Sequence, residues 1–163
     1  MDSRAFLVTE SLTAEIMKEE RWLRIIPVAL IMYTISYVDR ANLALALQPD
    51  SSTMVRDLLM DNKMRGQALG IFFWGYVLLQ VPGGHLASRW SAKKFISLCL
   101  ICWGVCAAGC GLAKTFRQFE VMRFLLGVAE SGVLPATTVL LANWFPKAER
   151  ARANGYWNLC QPL

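Results

Sequence analysis

The chain alternates between long apolar blocks and short polar segments. Blocks of about 20 apolar residues match the length of α-helix that crosses a hydrocarbon core of about 30 Å. We therefore predict an all-α membrane protein with four full transmembrane helices and the start of a fifth. The predicted spans are residues 22–47, 66–86, 95–113, 119–145 and, incomplete, 153–163. Residues 1–21 form a polar tail without the apolar core of a secretory signal, so we expect the first span to remain in the mature protein.

Composition agrees with this pattern, because 55% of the residues are hydrophobic and only 18% are charged. Four of the five cysteines lie in the third span at spacings of 3, 4 and 4, on one side of a helix: Cys99, Cys102, Cys106 and Cys110. No His, Asp or Glu lies among them, and an odd count within lipid disfavours a disulfide framework. We interpret them as small packing residues and predict no metal site and no cofactor.

The distribution of Lys and Arg predicts the orientation of the chain. With the amino terminus inside, the inner segments hold ten of these residues and the outer segments five, with Arg40 and Arg123 set aside as intramembrane. Cytoplasmic loops carry the excess of Lys and Arg in membrane proteins. We therefore predict a cytoplasmic amino terminus in a bacterial inner membrane. The net charge of +5 then reflects topology and gives no reason to expect a nucleic-acid partner.

Asp39 and Arg40 interrupt the first apolar block. A charge at mid-bilayer costs about 3 kcal/mol or more on insertion scales, so it is expected to face a protein interior or an aqueous path. The alternative is that the pair marks the end of the helix in the headgroup region. Seven mostly apolar residues still follow before Gln48, which favours an intramembrane position.

The fourth span carries two further charges, Arg123 and Glu130, seven residues apart on one helical face. Arg123 has the alternative of reaching the headgroups with its long side chain. Glu130 lies too deep for that, so its expected companions are Arg40, Arg123 or a proton. Helix rise puts the Asp39–Arg40 pair between Arg123 and Glu130 in depth. We predict that these four groups share one intramembrane layer, a binding or proton-relay hypothesis.

Small residues and prolines indicate close helix packing and possible bending. Glycines thin the second and fourth spans, where small residues let helix backbones approach in lipid. Pro82-Gly83-Gly84 is expected to weaken the second helix, and Pro135 to interrupt the fourth below Glu130. Each proline is compatible with a static kink or with a point at which the helix bends during transport.

The stretch GYVLLQVPGGHLASRWSAKK resembles the signature between helices 2 and 3 of the major facilitator superfamily. Two positions depart from that signature, Ser88 where an Asp is usual and Ser91 in place of its second Gly. The segments YVDRANLALA, RFLLGVAESGVLPATTVLLANWFP and ERARANGYW are similar to the anion:cation symporter branch, which carries hexonates, tartrate, phthalate and other organic acids. The resemblance covers residues 22–163. The signature positions that fit are Gly84, Leu86, Ala87, Arg89, Ala92 and Lys93.

The resemblance implies a major-facilitator-type bundle and proton-coupled symport of a small organic anion by alternating access. It implies that Asp39 and Glu130 carry the coupling proton, whereas Arg40 and Arg123 hold the substrate carboxylate. An Arg can bind a carboxylate through two parallel N–H bonds. The resemblance also implies that Tyr76 and Gln161 bind the hydroxyl groups of a sugar acid. It implies that Arg89 and Lys93 take part in gating on the cytoplasmic side.

Members of the family have twelve spans in two six-helix halves. We therefore expect an incomplete amino-terminal bundle that is inactive alone, with the lipid bilayer and the missing carboxy-terminal half of the carrier as its partners. Alternatives are a fragment of a proton-linked drug antiporter, a membrane assembly subunit that does not transport, and an intramembrane enzyme. The only histidine, His85, is expected near a helix end, so the sequence offers no intramembrane His or Cys–His pairing that an enzyme could use.

Overall fold

The computed structural model describes residues 3–48 and 53–158, with side chains for 19–48 and 54–158. Its elements are all helices, and no strand occurs in these ranges. The helices are α1 (Ser3–Ala46), α2 (Thr53–Asp57), α3 (Asn62–Arg89), α4 (Ala92–Gly111), α5 (Phe116–Ser131), α6 (Val133–Trp144) and α7 (Lys147–Asn158).

Four helical segments are long and apolar enough to cross a membrane: Glu19–Ala46, Asn62–Arg89, Ala92–Gly111 and Phe116–Trp144. Each coincides with one predicted span to within a few residues at either end, so the prediction of an all-α membrane protein with four membrane helices is confirmed. Two boundaries differ from expectation. The polar tail is already helical from Ser3, and α7 begins at Lys147, six residues before the predicted start of the fifth span at residue 153.

The fourth span is interrupted at Gly132, which separates α5 from α6. Pro135 has no N–H to donate to the carbonyl of Ser131, so the helical ladder is broken at this point. The expected interruption by Pro135 is therefore present, three residues before the proline and directly after the turn that carries Glu130.

Helix α3, in contrast, continues through Pro82, Gly83 and Gly84 to Arg89. The expected weakening of this helix is wrong as far as its backbone continuity is concerned. The physical reason is tertiary support, because α3 packs against the interrupted helix here. A Cβ built on Gly83 would lie 3.1 Å from the Cα of Gly132, and one on Gly84 would lie 3.3 Å from the Cβ of Pro135.

The closest approach in the bundle joins α3 and α5 at two glycines. A Cβ on Gly75 would overlap the carbonyl oxygen of Phe124, and a Cβ on Gly127 would overlap the carbonyl oxygen of Phe72. Small residues permit such backbone contact, which drives helix association in lipid. This crossing sets Phe72 and its neighbours on α3 directly beside the charged face of α5.

Aromatic packing fastens α1 to α6 and α7 at one end of the bundle, called here the Trp22 end. The Trp22 ring makes edge contacts with Phe145 and Tyr156, with centroids 4.9 and 5.8 Å away. Its Nε1 donates a hydrogen bond of 3.2 Å to Oε2 of Glu149. The opposite end, where α1 and α4 finish near the short helix α2, is called the α2 end.

Candidate functional site

An ion pair joins α1 to α5 in the middle of the bundle. Arg40 donates from Nε and Nη2 to one carboxylate oxygen of Glu130, Oε1, at 3.1 and 2.8 Å. Ser36, one turn before Arg40, donates its hydroxyl hydrogen to the same oxygen. Glu130 is 4% exposed, so its carboxylate is screened from solvent and held by these donors.

A second pair crosses between the same helices nearer the α2 end. Nη1 of Arg123 lies 3.8 Å from Oδ2 of Asp39, an electrostatic contact that is too long for a hydrogen bond. Asp39 and Arg40 are neighbours in sequence, yet each is paired with a residue of α5. The structure thus brings the four charged residues of the predicted layer together as two crosswise pairs.

The ring of Phe72 contacts both guanidinium groups. Its centroid lies 5.3 Å from Cζ of Arg40 and 5.0 Å from Cζ of Arg123. The ring of Tyr76, one turn further along α3, lies 5.1 Å from Cζ of Arg40. A cation within about 6 Å of an aromatic centroid is attracted to the ring quadrupole. The ring faces of Phe72 and Tyr76 therefore contact the guanidinium groups. The carboxylates bind the same groups through hydrogen bonds and charge.

The space around the Arg40–Glu130 pair is small. A cavity of about 10 Å³ is lined by Ser36, Arg40, Tyr76, Trp103 and Glu130, among others. That volume is at the lower limit for one water molecule. Two buried polar atoms here have no hydrogen-bond partner in the described part of the chain, Oε2 of Glu130 and Nε1 of Trp103. Donor and acceptor capacity therefore remains available for a ligand or water once the site opens.

A larger cavity of about 380 Å³ lies beside the Asp39–Arg123 pair, towards the α2 end. Its lining residues come mainly from α1, α2, α4 and α5. Two buried polar atoms at this cavity also lack a hydrogen-bond partner in the described part of the chain, Oδ2 of Asp39 and Nε of Arg123. Its lining includes Asp39, Asn42, Asp57, Cys110, Phe119 and Arg123.

The other residues singled out from the sequence lie elsewhere. Arg89 ends α3 and Lys93 lies in the first turn of α4, both exposed and remote from the two ion pairs. Gln161 lies outside the described residues. Cys99, Cys102, Cys106 and Cys110 are free thiols, and within residues 3–48 and 53–158 no group of His, Cys, Asp and Glu is arranged to hold a metal ion.

Sequence reasoning missed Ser36, Phe72 and Trp103 as parts of the site. The spacing of the first two carried a usable signal, since Ser36 precedes Arg40 by four residues and Phe72 precedes Tyr76 by four. Each therefore shares a helical face with a residue that was identified. The indole of Trp103 carried no such signal, because its place beside Glu130 depends on how α4 packs.

Two relatives illustrate the similarity of this chain to characterised families. A putative tartrate transporter of Agrobacterium vitis is 32% identical over 157 residues, covering 96% of this chain and 34% of that protein. A quinolone resistance transporter of Acinetobacter baumannii is 33% identical over 140 residues, covering 86% of this chain and 31% of that protein. The chain thus spans about a third of the length of these relatives.

A solved structure and a family model agree on the fold. The crystal structure of a bacterial homologue of the human lysosomal transporter Spinster, inward-facing and unoccupied, superposes with a TM-score of 0.75 at 23% identity. The match covers 86% of this chain and 29% of that one. The sequence model of the Major Facilitator Superfamily matches residues 29–163, which include all four charged residues of the two ion pairs. The chain is an integral membrane protein that belongs to the Major Facilitator Superfamily, a family of transporters and not of enzymes.

Proposed function

We propose that this chain is part of a carrier that couples the inward movement of protons to the uptake of a small organic anion. The anion is a sugar acid or another carboxylate, and transport proceeds by alternating access around a site near the middle of the membrane. The tartrate transporter, about three times as long as the matched segment, supports a larger working unit, in which further helices supply the other wall of the site.

The observation that carries the proposal is the buried pair of Arg40 and Glu130. An ion pair inside a membrane protein is a poor source of stability, because desolvation of both charges offsets most of their attraction. Charged side chains kept at this depth are therefore best explained by function. While Glu130 is ionised, its Oε1 occupies the Nε and Nη2 donors of Arg40.

Protonation of Glu130 would change this arrangement. A neutral carboxylic acid holds a guanidinium far more weakly than a carboxylate does, because the charge-assisted part of the hydrogen bond is lost. The donors of Arg40 would then be free to bind the carboxylate of an incoming anion. Proton binding and anion binding thereby favour each other, which is the thermodynamic requirement for symport.

The Asp39–Arg123 pair is a second acid–arginine pair that could respond to protonation in the same way, and its arginine contacts the same Phe72 ring. Its 3.8 Å separation makes it the weaker pair, and Arg123 is the second candidate for holding a carboxylate. Tyr76, whose ring already contacts Arg40, is a candidate hydroxyl partner for a sugar acid. Gln161 is proposed for the same task from its sequence motif alone.

Orientation and gating complete the proposal. The excess of Lys and Arg at the Trp22 end supports an amino terminus in the cytoplasm of a bacterial cell, with the α2 end facing outward. Arg89 and Lys93, exposed at the Trp22 end, would then contact the second half of the carrier when the inner gate closes. The break at Gly132, next to Glu130, provides a point at which the fourth span can bend.

The relative from Acinetobacter baumannii, a quinolone resistance transporter, favours a second candidate, a proton-linked drug antiporter. Glu130 and Asp39 would there exchange a proton for a cationic drug. Two buried arginines at the same site disfavour a cationic substrate. A carboxylate that bound the drug would no longer neutralise its arginine, and the arginine would then lie beside a second positive charge. We therefore rank the anion symporter first.

The test is uptake into proteoliposomes that contain the complete gene product in which this chain occurs. With an acidic exterior, radiolabelled tartrate and hexonates are expected to accumulate above their outside concentration, and a protonophore is expected to abolish the accumulation. Absence of uptake for every organic acid, together with proton-driven movement of quinolones, would replace the first candidate by the second.

A further inference from the structure

We infer that the cavity at the α2 end is a cation-selective aqueous vestibule that delivers protons from the outer side to Asp39, apart from the route of the anionic substrate. The identity of the cation as a proton, and its entry from the outer side, rest on the proposed function. The existence of the vestibule and its selectivity rest on the geometry of the cavity and on the charges that line it.

Charge is the first support. The cavity is lined by two carboxylates, Asp39 and Asp57, and by one guanidinium, Arg123. Its charged residues therefore sum to a single negative charge at neutral pH. A concave site with a net charge raises the local concentration of counter-ions and lowers that of like-charged solutes. While Asp39 is ionised, an organic anion is thus disfavoured here, whereas protons are favoured.

Unpartnered polar atoms are the second, independent support. Arg123 is 4% exposed, lines the cavity and leaves its Nε without a hydrogen-bond partner. Oδ2 of Asp39 is also without a hydrogen-bond partner. Buried polar atoms of this kind are normally satisfied by ordered water. The cavity volume of about 380 Å³ exceeds many times the roughly 15 Å³ that one water needs.

Separation from the central site is the third support. The Arg40–Glu130 pair lines a different cavity of only about 10 Å³, and neither Arg40 nor Glu130 lines the cavity at the α2 end. Accessibility differs in the same sense, since Asp39 is 30% exposed and Glu130 is 4% exposed. A proton arriving from the α2 end therefore meets Asp39 first.

Charged and titratable groups from each neighbouring helix define the environment of Asp39. Arg40 adjoins it on α1, and Arg123 and Glu130 lie on α5. Cys110 faces the same cavity from α4 and Asp57 from α2, while α3 contributes Tyr76 at Arg40. Asp57 is exposed at the mouth of the cavity, where it can relay protons between bulk water and Asp39.

Cys110 provides a native probe of this cavity. In the complete gene product with every other cysteine replaced by serine, Cys110 is treated with a cationic and an anionic methanethiosulfonate of similar size. We expect labelling by the cationic reagent to be the faster. The ratio of the two rates is the informative quantity, because the thiolate fraction of Cys110 affects both rates equally and cancels.

The matched control is Leu112→Cys in the same background without Cys110, since Leu112 is exposed at the end of α4 and does not line the cavity. The rate ratio is expected to be higher at Cys110 than at this control. Asp57→Asn should lower the ratio at Cys110 by about fourfold, because one charge at about 10 Å in water changes each of the two rates by about twofold, in opposite senses. No labelling of Cys110, or an equal or faster reaction with the anionic reagent, would overturn the inference.

A transport measurement addresses the proton. Asp57→Asn should slow pH-driven uptake of the organic anion by a similar factor and leave exchange of internal for external anion unchanged. Equal loss of both activities would refute a role of Asp57 in proton delivery. Failure of the proposed function would look different: Cys110 would retain its preference for the cationic reagent while no organic acid is transported at all.

Discussion

Arg40 and Glu130 are paired through a single carboxylate oxygen, which accepts both the Nε and the Nη2 hydrogens of the guanidinium. The second oxygen of Glu130, Oε2, is buried without a partner. The carboxylate therefore does not use its full capacity for the two parallel bonds that an Arg and a carboxylate can form. An incoming carboxylate that offers both oxygens to Arg40 would compete well with such a pair.

The first prediction concerns Arg40 itself. In the complete carrier, Arg40→Ala is expected to reduce organic-acid uptake by about 30-fold or more, because truncating one member of a buried charge pair costs about 2–5 kcal/mol. Initial uptake rates, normalised to the amount of protein in the membrane, measure the effect. Arg117→Ala serves as the control, since Arg117 is an exposed Arg at the start of α5. Uptake that is unchanged in Arg40→Ala would rule out the carboxylate clamp.

The second prediction separates proton coupling from anion binding. Glu130→Gln mimics the protonated side chain, so Arg40 should be permanently available to an anion. We expect exchange of labelled for unlabelled anion to persist and uphill accumulation under a pH gradient to be lost. Both activities are measured in the same proteoliposomes by changing the internal solution. Accumulation that still follows the pH gradient in Glu130→Gln would exclude Glu130 as the coupling site.

Sequence alone was sufficient to predict four membrane helices because each span is a block of apolar residues of bilayer length, and the type of bundle was implied by the family resemblance. The charged positions were equally visible, since Asp39, Arg40, Arg123 and Glu130 stand out inside apolar blocks. Their pairing was not predictable. It depends on the rotation of α1 relative to α5, which places Arg40 beside Glu130 and Asp39 beside Arg123, and no periodicity within one helix encodes that angle.

The two prolines, Pro82 and Pro135, predicted helix interruptions only partly, for the same reason. Pro135 breaks the fourth span as expected, whereas Pro82 leaves α3 continuous. The packing of Gly83 against Gly132 supports α3 at that point, and this contact joins residues far apart in sequence. The large cavity could not be predicted from the sequence either, because it forms only where α2 packs beside the ends of three other helices.

The third prediction tests the crossing of α3 and α5. Gly75→Ala places a methyl group against the carbonyl of Phe124, whereas Gly70→Ala on the same helix meets open space. Overpacking of this kind costs about 1–3 kcal/mol. The apparent melting temperature in detergent should therefore fall by roughly 2–12 °C in Gly75→Ala, at about 2–4 °C per kcal/mol. Equal stability of the two variants would show that the helices do not approach as closely as described.

The fourth prediction concerns Phe72, whose ring faces both Arg40 and Arg123. Phe72→Leu keeps an apolar side chain but removes two cation–π contacts of about 0.5–1 kcal/mol each. We expect uptake efficiency, kcat/KM for the anion, to fall by roughly five- to thirtyfold, at about tenfold per 1.4 kcal/mol. Phe72→Tyr, which keeps the aromatic face, should retain most of the activity. The neighbouring Phe73→Leu is the matched control, because Phe73 is exposed on α3 and is not among the rings that contact either arginine. A similar loss in Phe73→Leu would point to a general effect of α3 packing, whereas a loss confined to Phe72→Leu identifies the ring as the element that keeps the two arginines on their separate acids.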